Sequence, residues 1–148
     1  MNMPSTDVVT CDPWTYQGMK PLSWIDRPEP TRYVTRPIIG LRMSEAFRAT
    51  VIASCHSVWY EYPFLWIAAR FEFDGASGPA IDGVANMLAA LGHDALYLAK
   101  QTGATGYSYR MADGWYRRTC IAQGAGAARA WMHWTALRSC GWLWRLKG

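Results

Sequence analysis

The chain has 148 residues, of which 51% are hydrophobic and 18% charged, and its formal net charge is +4. This length fits one domain, and the composition is too apolar for intrinsic disorder. No apolar run approaches the roughly 20 residues that a membrane-spanning helix needs. The sequence therefore predicts a soluble globular protein and excludes both a disordered chain and a membrane-spanning one.

Residues 1–31 contain five of the eight prolines among polar residues. Proline lacks an amide hydrogen, so this composition disfavours a helix or a central strand. We predict an extended arm over 1–31 that docks on a neighbouring surface or subunit through Trp14, Tyr16 and Trp24. The segment also lacks the basic and apolar regions of a secretory signal, which predicts synthesis in the cytoplasm.

Residues 32–80 are predicted to form strands and a loop. Stretches rich in β-branched and aromatic residues lie near 33–39, 47–53, 57–62 and 64–73. The last of them alternates apolar and polar residues, as a half-buried strand does. We expect a small antiparallel meander that ends in a glycine-rich loop.

Residues 81–148 are predicted to be helical. Apolar residues at spacings of three and four indicate helices over 81–100, 108–122 and 127–146, separated by glycine-containing segments. Strands followed by antiparallel helices make residues 32–148 a single α+β domain.

A polar stripe marks the first predicted helix. His93 and Tyr97 are four residues apart and share a helix face, and Asp94 directly follows the histidine. Asp113, on the next helix, would accept a hydrogen bond from His93 if the two helices pack antiparallel. An imidazole held by a carboxylate at one nitrogen is a competent general base for a water at the other.

The same stripe also has a structural interpretation. A buried imidazole or carboxylate without hydrogen bonds costs on the order of 1–3 kcal/mol, so these groups require partners whether or not they catalyse a reaction. A satisfied network that joins the helix to the preceding loop would meet this requirement.

The glycine-rich loop before the helix offers oxygen ligands. Asp74 and Ser77 carry side-chain oxygens, and a turn at Gly75 presents its backbone carbonyl. Oxygen-only ligation suits a hard cation such as Ca²⁺ rather than zinc. Together with Asp94, these residues predict a calcium site.

Three motifs in this order resemble the DUF1353 family, a small family common in phages and prophages. They are Phe73-x-Gly75-Ala76-Ser77-x-Pro79, Gly92-His93-Asp94-x-x-Tyr97 and Arg110-x-x-Asp113. The resemblance covers about residues 45–146 and implies a phage-related context without an assigned reaction.

The glycine-rich loop followed by His-Asp-x-x-Tyr is also similar to secreted phospholipase A2. In that family the histidine activates a water, the adjacent aspartate binds calcium, and a distant aspartate and the tyrosine orient the histidine. The resemblance implies these roles for His93, Asp94, Asp113 and Tyr97, respectively. The cysteines that flank the motif in that family are missing from this chain.

The third predicted helix lies in a basic, tryptophan-rich stretch. Residues 114–148 hold six basic residues and no acidic one, whereas residues 1–113 hold nine basic and eleven acidic residues. One side of the helix carries Trp131, Trp134, Arg138, Trp142 and Arg145. This side fits another protein, an anionic membrane surface or, less well, nucleic acid. In the alternative interpretation the tryptophans fill the core and the arginines are solvated.

These features predict a phage- or prophage-encoded accessory or virion-associated protein. Its site would be a calcium-assisted hydrolase centre that acts on a lipid or another cell-envelope ester. The arm and the third helix would bind other virion proteins or further copies of the chain. The alternative is a non-catalytic virion or assembly component whose His-Asp-Tyr cluster stabilises the fold.

Overall fold

The computed structural model contains two sheets and a pair of long helices. It describes residues 8–14, 21–29, 32–45, 47, 57–73 and 84–122. The α+β class is thereby confirmed. In chain order, the elements are β1 (Val8–Cys11), α1 (Pro21–Trp24), β2 (Ile25–Glu29), β3 (Arg32–Thr35), β4 (Ile38–Arg42), β5 (Val58–Glu61), β6 (Phe64–Ile67), β7 (Glu72–Phe73), α2 (Val84–Gln101) and α3 (Tyr109–Ala122).

The first sheet has the strand order β1-β4-β6-β5. β1 pairs parallel to β4, whereas β4 and β5 each pair antiparallel to β6. Alternate side chains point inward, because successive residues of a strand face opposite sides of the sheet. The fully buried set is Ile39, Leu41, Val58, Leu65 and Ile67. This apolar face forms one wall of the core that α2 covers.

The second sheet is antiparallel with the order β2-β3-β7, and Thr35 joins it to the first. The buried Thr35 hydroxyl donates to the carbonyl of Ala68 and accepts from the amide of Phe71, both over 3.0 Å. Arg70, between them, has a φ of 66°. Thr35 thus stabilises the turn by which the chain leaves β6 and enters β7.

The predicted meander is therefore wrong in its connectivity. The stretch 33–39 divides into β3 and β4 at Pro37, which has no amide hydrogen for a strand ladder, and 64–73 divides into β6 and β7 at the Arg70 turn. The predicted alternation of burial survives this division, since Ile67, Phe71 and Phe73 are buried. The predicted strand at 47–53 lies, except for Phe47, outside the described residues.

The described part of residues 1–31 supplies the strands β1 and β2 and the short helix α1. β1 and β2 are both edge strands, the position in which a proline-containing strand is tolerated, and the β2 register shifts between Asp26 and Glu29 around Pro28. Trp14 and Trp24 pack against the chain's own core. These segments thus differ from the predicted arm, whose Tyr16 lies outside the described residues.

The two long helices form an antiparallel hairpin close to the predicted bounds. α2 ends at Gln101, and Gly103, two residues further on, has a φ of 113°. The Ser108 hydroxyl caps α3 by accepting from the Met111 amide over 3.1 Å. The Tyr107 hydroxyl donates to the Leu96 carbonyl over 2.6 Å and ties the connection to α2. Among the described helices, none has the length and apolarity needed to cross a membrane. The predicted helix over 127–146 lies outside the described residues.

A glycine allows α2 and α3 to approach closely beside the polar stripe. The fully buried Trp115 ring of α3 lies against Gly92 of α2, where an added Cβ atom would be 2.2 Å from the ring. The same Cβ atom would be 3.1 Å from a methyl carbon of Leu41 on β4. Gly92 is therefore the point at which both helices and the first sheet meet.

Replacing Gly92 by Ala is expected to lower the free energy of unfolding by roughly 1–3 kcal/mol, because overlap with the Trp115 ring outweighs the better helix propensity of alanine. Gly114→Ala is the matched control. Its Cβ atom would be 3.3 Å from the movable Arg118 guanidinium, so we expect a change of less than about 1 kcal/mol. Urea unfolding followed by circular dichroism measures both, and equal stability of the two variants would contradict the close contact.

Candidate functional site

The polar groups predicted on α2 meet a carboxylate of α3 inside the core. His93 Nε2 is 2.8 Å from Asp113 Oδ1, and the Tyr97 hydroxyl donates to the same oxygen over 2.6 Å. Asp113 is 0% exposed and His93 is 6% exposed. The structure thus contains the contact between helices that the sequence predicted for His93 and Asp113.

The position of the imidazole proton follows from this geometry. Asp113 Oδ1 already accepts from Tyr97, and an ionised carboxylate has no proton to donate. Nε2 of His93 must therefore carry the proton and donate to Asp113. In the neutral ring, Nδ1 then keeps its lone pair, which is the state that a general base requires.

Asp94 lies on the opposite side of the imidazole from Asp113. Its Oδ1 is 3.7 Å from His93 Nδ1, and its side chain is 29% exposed. This separation is too long for a direct hydrogen bond but short enough for a strong charge interaction with the imidazole. The basic nitrogen of His93 thus faces the more exposed of the two carboxylates.

Two tyrosine rings fix the plane of the imidazole. The Tyr97 ring centroid is 4.3 Å from that of His93, and the Tyr116 ring meets His93 edge-on at 5.5 Å. Tyr116 is not among the site residues that the sequence predicts. Its position three residues after Asp113, on the same helix face, is the signal that would have identified it.

The pKa of His93 is raised above its ordinary value of 6.5. Burial acts most strongly and lowers the pKa, because it disfavours the charged ring. The hydrogen bond to Asp113 and the negative charges of Asp94 and Asp113 outweigh burial. The pocket therefore favours the imidazolium ion, which is the species that a general base becomes when it takes a proton.

Of the four predicted calcium ligands, the structure describes only Asp94. Asp74, Gly75 and Ser77 lie outside the described residues. Among the residues that the structure describes, no group of three or more His, Cys, Asp or Glu side chains is placed to hold a metal ion. The partly exposed Asp94 carboxylate suits a hard cation as one ligand, whereas Asp113 is engaged by His93 and Tyr97.

The predicted partner-binding residues Trp131, Trp134, Arg138, Trp142 and Arg145 also lie outside the described residues. Comparison of the chain with protein-family models, curated proteins and solved structures finds no match.

Removing the carboxylate is expected to destabilise the fold strongly. Asp113→Ala should lower the free energy of unfolding by roughly 3–5 kcal/mol, because it leaves two buried donors without their acceptor. Tyr97→Phe, which removes one of the two hydrogen bonds, should cost about 1–3 kcal/mol. Asp94→Ala, at a partly exposed position, should stay within about 1 kcal/mol of the wild type. Chemical unfolding measures all three, and equal losses at Asp94 and Asp113 would contradict the arrangement.

The stability contributed by His93 is expected to fall as pH rises. Because the folded-state pKa is raised, this contribution is fully present below the unfolded-state pKa near 6.5 and is lost as pH rises through the folded-state pKa. Urea unfolding of the wild type and of His93→Gln is measured from about pH 5 to about pH 9. The difference between their free energies of unfolding at each pH gives the contribution of His93. A difference that grows with pH would show that burial, rather than the two carboxylates, determines the pKa of His93.

Proposed function

We propose that the chain is a hydrolase in which His93 activates a water for attack on an ester of a lipid or another cell-envelope molecule. The observation that supports this proposal is the position of the imidazole between two carboxylates, with one carboxylate beside each ring nitrogen. Asp113 holds Nε2 at 2.8 Å, and the basic Nδ1 faces the partly exposed Asp94 at 3.7 Å. This arrangement orients a general base and leaves its lone pair on the more exposed side.

The reaction follows from that orientation. Nδ1 takes a proton from the water as its oxygen attacks the carbonyl carbon of the ester, and the imidazolium is stabilised by Asp113 and Asp94. When the tetrahedral intermediate collapses, the proton passes from Nδ1 to the leaving alkoxide. The products are a carboxylic acid and an alcohol. A Ca²⁺ ion bound by Asp94 with oxygens of Asp74, Gly75 and Ser77 would polarise the ester carbonyl.

The biological setting belongs to the same proposal. The order of the motifs around His93 and Asp113 supports membership of the DUF1353 family and a phage- or prophage-encoded, accessory or virion-associated role. The tryptophans and arginines of residues 127–146 would dock on other virion proteins or on an anionic membrane, and self-association is a further way to cover them.

A non-catalytic role in the virion or its assembly is the second candidate. It is favoured by the burial of His93, which is 6% exposed and lies between the rings of Tyr97 and Tyr116. In this role the cluster only holds α2 to α3. Both roles use the same hydrogen bonds. They differ only in whether a substrate reaches Nδ1 of His93.

Hydrolysis is tested with phosphatidylglycerol vesicles, with release of fatty acid measured in Ca²⁺ and in EDTA. His93→Gln should lower the rate by at least about 100-fold, because the general base is lost. Asp94→Asn should reduce the response to Ca²⁺. Glu61→Gln, at an exposed residue of β5, is the control and should keep the wild-type rate.

Circular dichroism of the variants separates the two roles. Lost hydrolysis in a folded His93→Gln protein supports the enzyme. No hydrolysis by the wild type, combined with unfolding of His93→Gln, would support the non-catalytic role instead.

A further inference from the structure

A surface cavity of about 330 Å³ lies along one flank of α3, with Ser108 at its start and three arginines on its wall. The arginines are Arg110, Arg117 and Arg118. Among the described residues that line this arginine cavity, none is acidic. The cavity therefore concentrates positive charge in a concave space.

The spacing of the lining residues explains the shape of the cavity. Arg110, Gly114 and Arg118 are four residues apart and form one row along the helix. Gly114 has no side chain to fill the middle of this row, and a Cβ atom there would be 3.3 Å from Arg118 Nη1. The guanidinium thus lies close to the helix backbone, and the buried Phe47 adds an apolar wall.

The charge balance around the arginine cavity favours an anion. Asp113 is the only acidic residue of α3, and it is buried and bound by His93 and Tyr97. Arg118 is partly buried with its guanidinium 5.5 Å from the Trp14 ring. Burial, followed by the charge of Arg117, lowers the pKa of Arg118. A bound anion would relieve this crowding of like charges.

A second cavity is also lined by arginines, but it contains carboxylates that offset their charge. It has a volume of about 510 Å³ and is lined by Arg27, Arg32 and Arg70 together with Asp26 and Glu72. Arg32 lies 3.5 Å from Glu72 there. The arginine cavity on α3 thus differs in having cations without carboxylates in its lining.

We propose that the arginine cavity binds the phosphate group of a ligand. The planar guanidinium group matches two phosphate oxygens at once, and three such groups suit the charge of a phosphate better than that of a single carboxylate. The start of α3 beside Ser108 adds the positive end of a helix dipole. The phosphate belongs either to a lipid headgroup or to a small soluble molecule. The proposal is independent of hydrolysis at His93.

The test uses the full chain and two probes. Isothermal titration calorimetry measures binding of glycerol 3-phosphate, and cosedimentation measures binding to phosphatidylglycerol vesicles against phosphatidylcholine vesicles. Arg110→Gln/Arg118→Gln should weaken binding about tenfold or more, because charge-assisted hydrogen bonds are lost. Arg42→Gln/Arg70→Gln removes the same charge at two exposed positions outside the arginine cavity and should bind as the wild type does.

Each outcome decides the proposal. Binding of glycerol 3-phosphate that Arg110→Gln/Arg118→Gln weakens supports a soluble source. Binding that is restricted to phosphatidylglycerol vesicles and that the same double variant weakens supports a lipid source, whereas vesicle binding that the double variant leaves unchanged would overturn the proposal. Equal weakening by the control pair, or no binding of either probe by the wild type, would overturn it. Should the double variant fail to fold because Arg118 packs on Trp14, the single variant Arg110→Gln at an exposed position gives the same readout.

Discussion

The buried carboxylate of Asp113 is the constraint on which the helical half of the fold depends. A charge removed from water must be satisfied by nearby donors, and α2 supplies two of them, from His93 and Tyr97, to one oxygen. These bonds require a close approach of the helices. Gly92 permits it, because the Trp115 ring occupies the place of a side chain. Packing and hydrogen bonding therefore select the same helix register, and the position of the imidazole follows from that register.

The enzymatic and the structural interpretation of this cluster share one physical basis. In each, Asp113 holds Nε2 and the rings of Tyr97 and Tyr116 fix the imidazole plane. A base that is held rigidly needs no reorganisation when it takes a proton, and a rigid buried network also stabilises a core. Rigidity thus does not discriminate between the roles. The environment of Nδ1 does, and there the partly exposed Asp94 is the nearest acidic group in the part of the chain that the structure describes.

Features that depend on short sequence spacing were predictable. The bounds of α2 and α3 follow from apolar residues three and four apart, and the His93–Asp113 contact follows from an antiparallel hairpin. Features that depend on distant partners were not. The chain turns at Arg70 because Thr35, which is 33 residues from Ala68 and 36 from Phe71 in sequence, bonds both sides of the turn. The proline-rich start supplies edge strands because β4 and β3 offer free edges, which the composition of residues 1–31 does not indicate.

α3 is the helix at which the acidic residues of the sequence end and the basic stretch begins. Asp113 is the last acidic residue in the sequence and is buried against His93, and Arg117 and Arg118 follow it on the same helix. The same helix thus directs a negative charge into the core and positive charges to its flank. Because Arg110, Asp113 and Arg117 lie within two helical turns, a rigid backbone fixes the arginine cavity relative to the imidazole. A ligand whose phosphate occupied that cavity would therefore be held at a defined place beside the site that Asp113 organises.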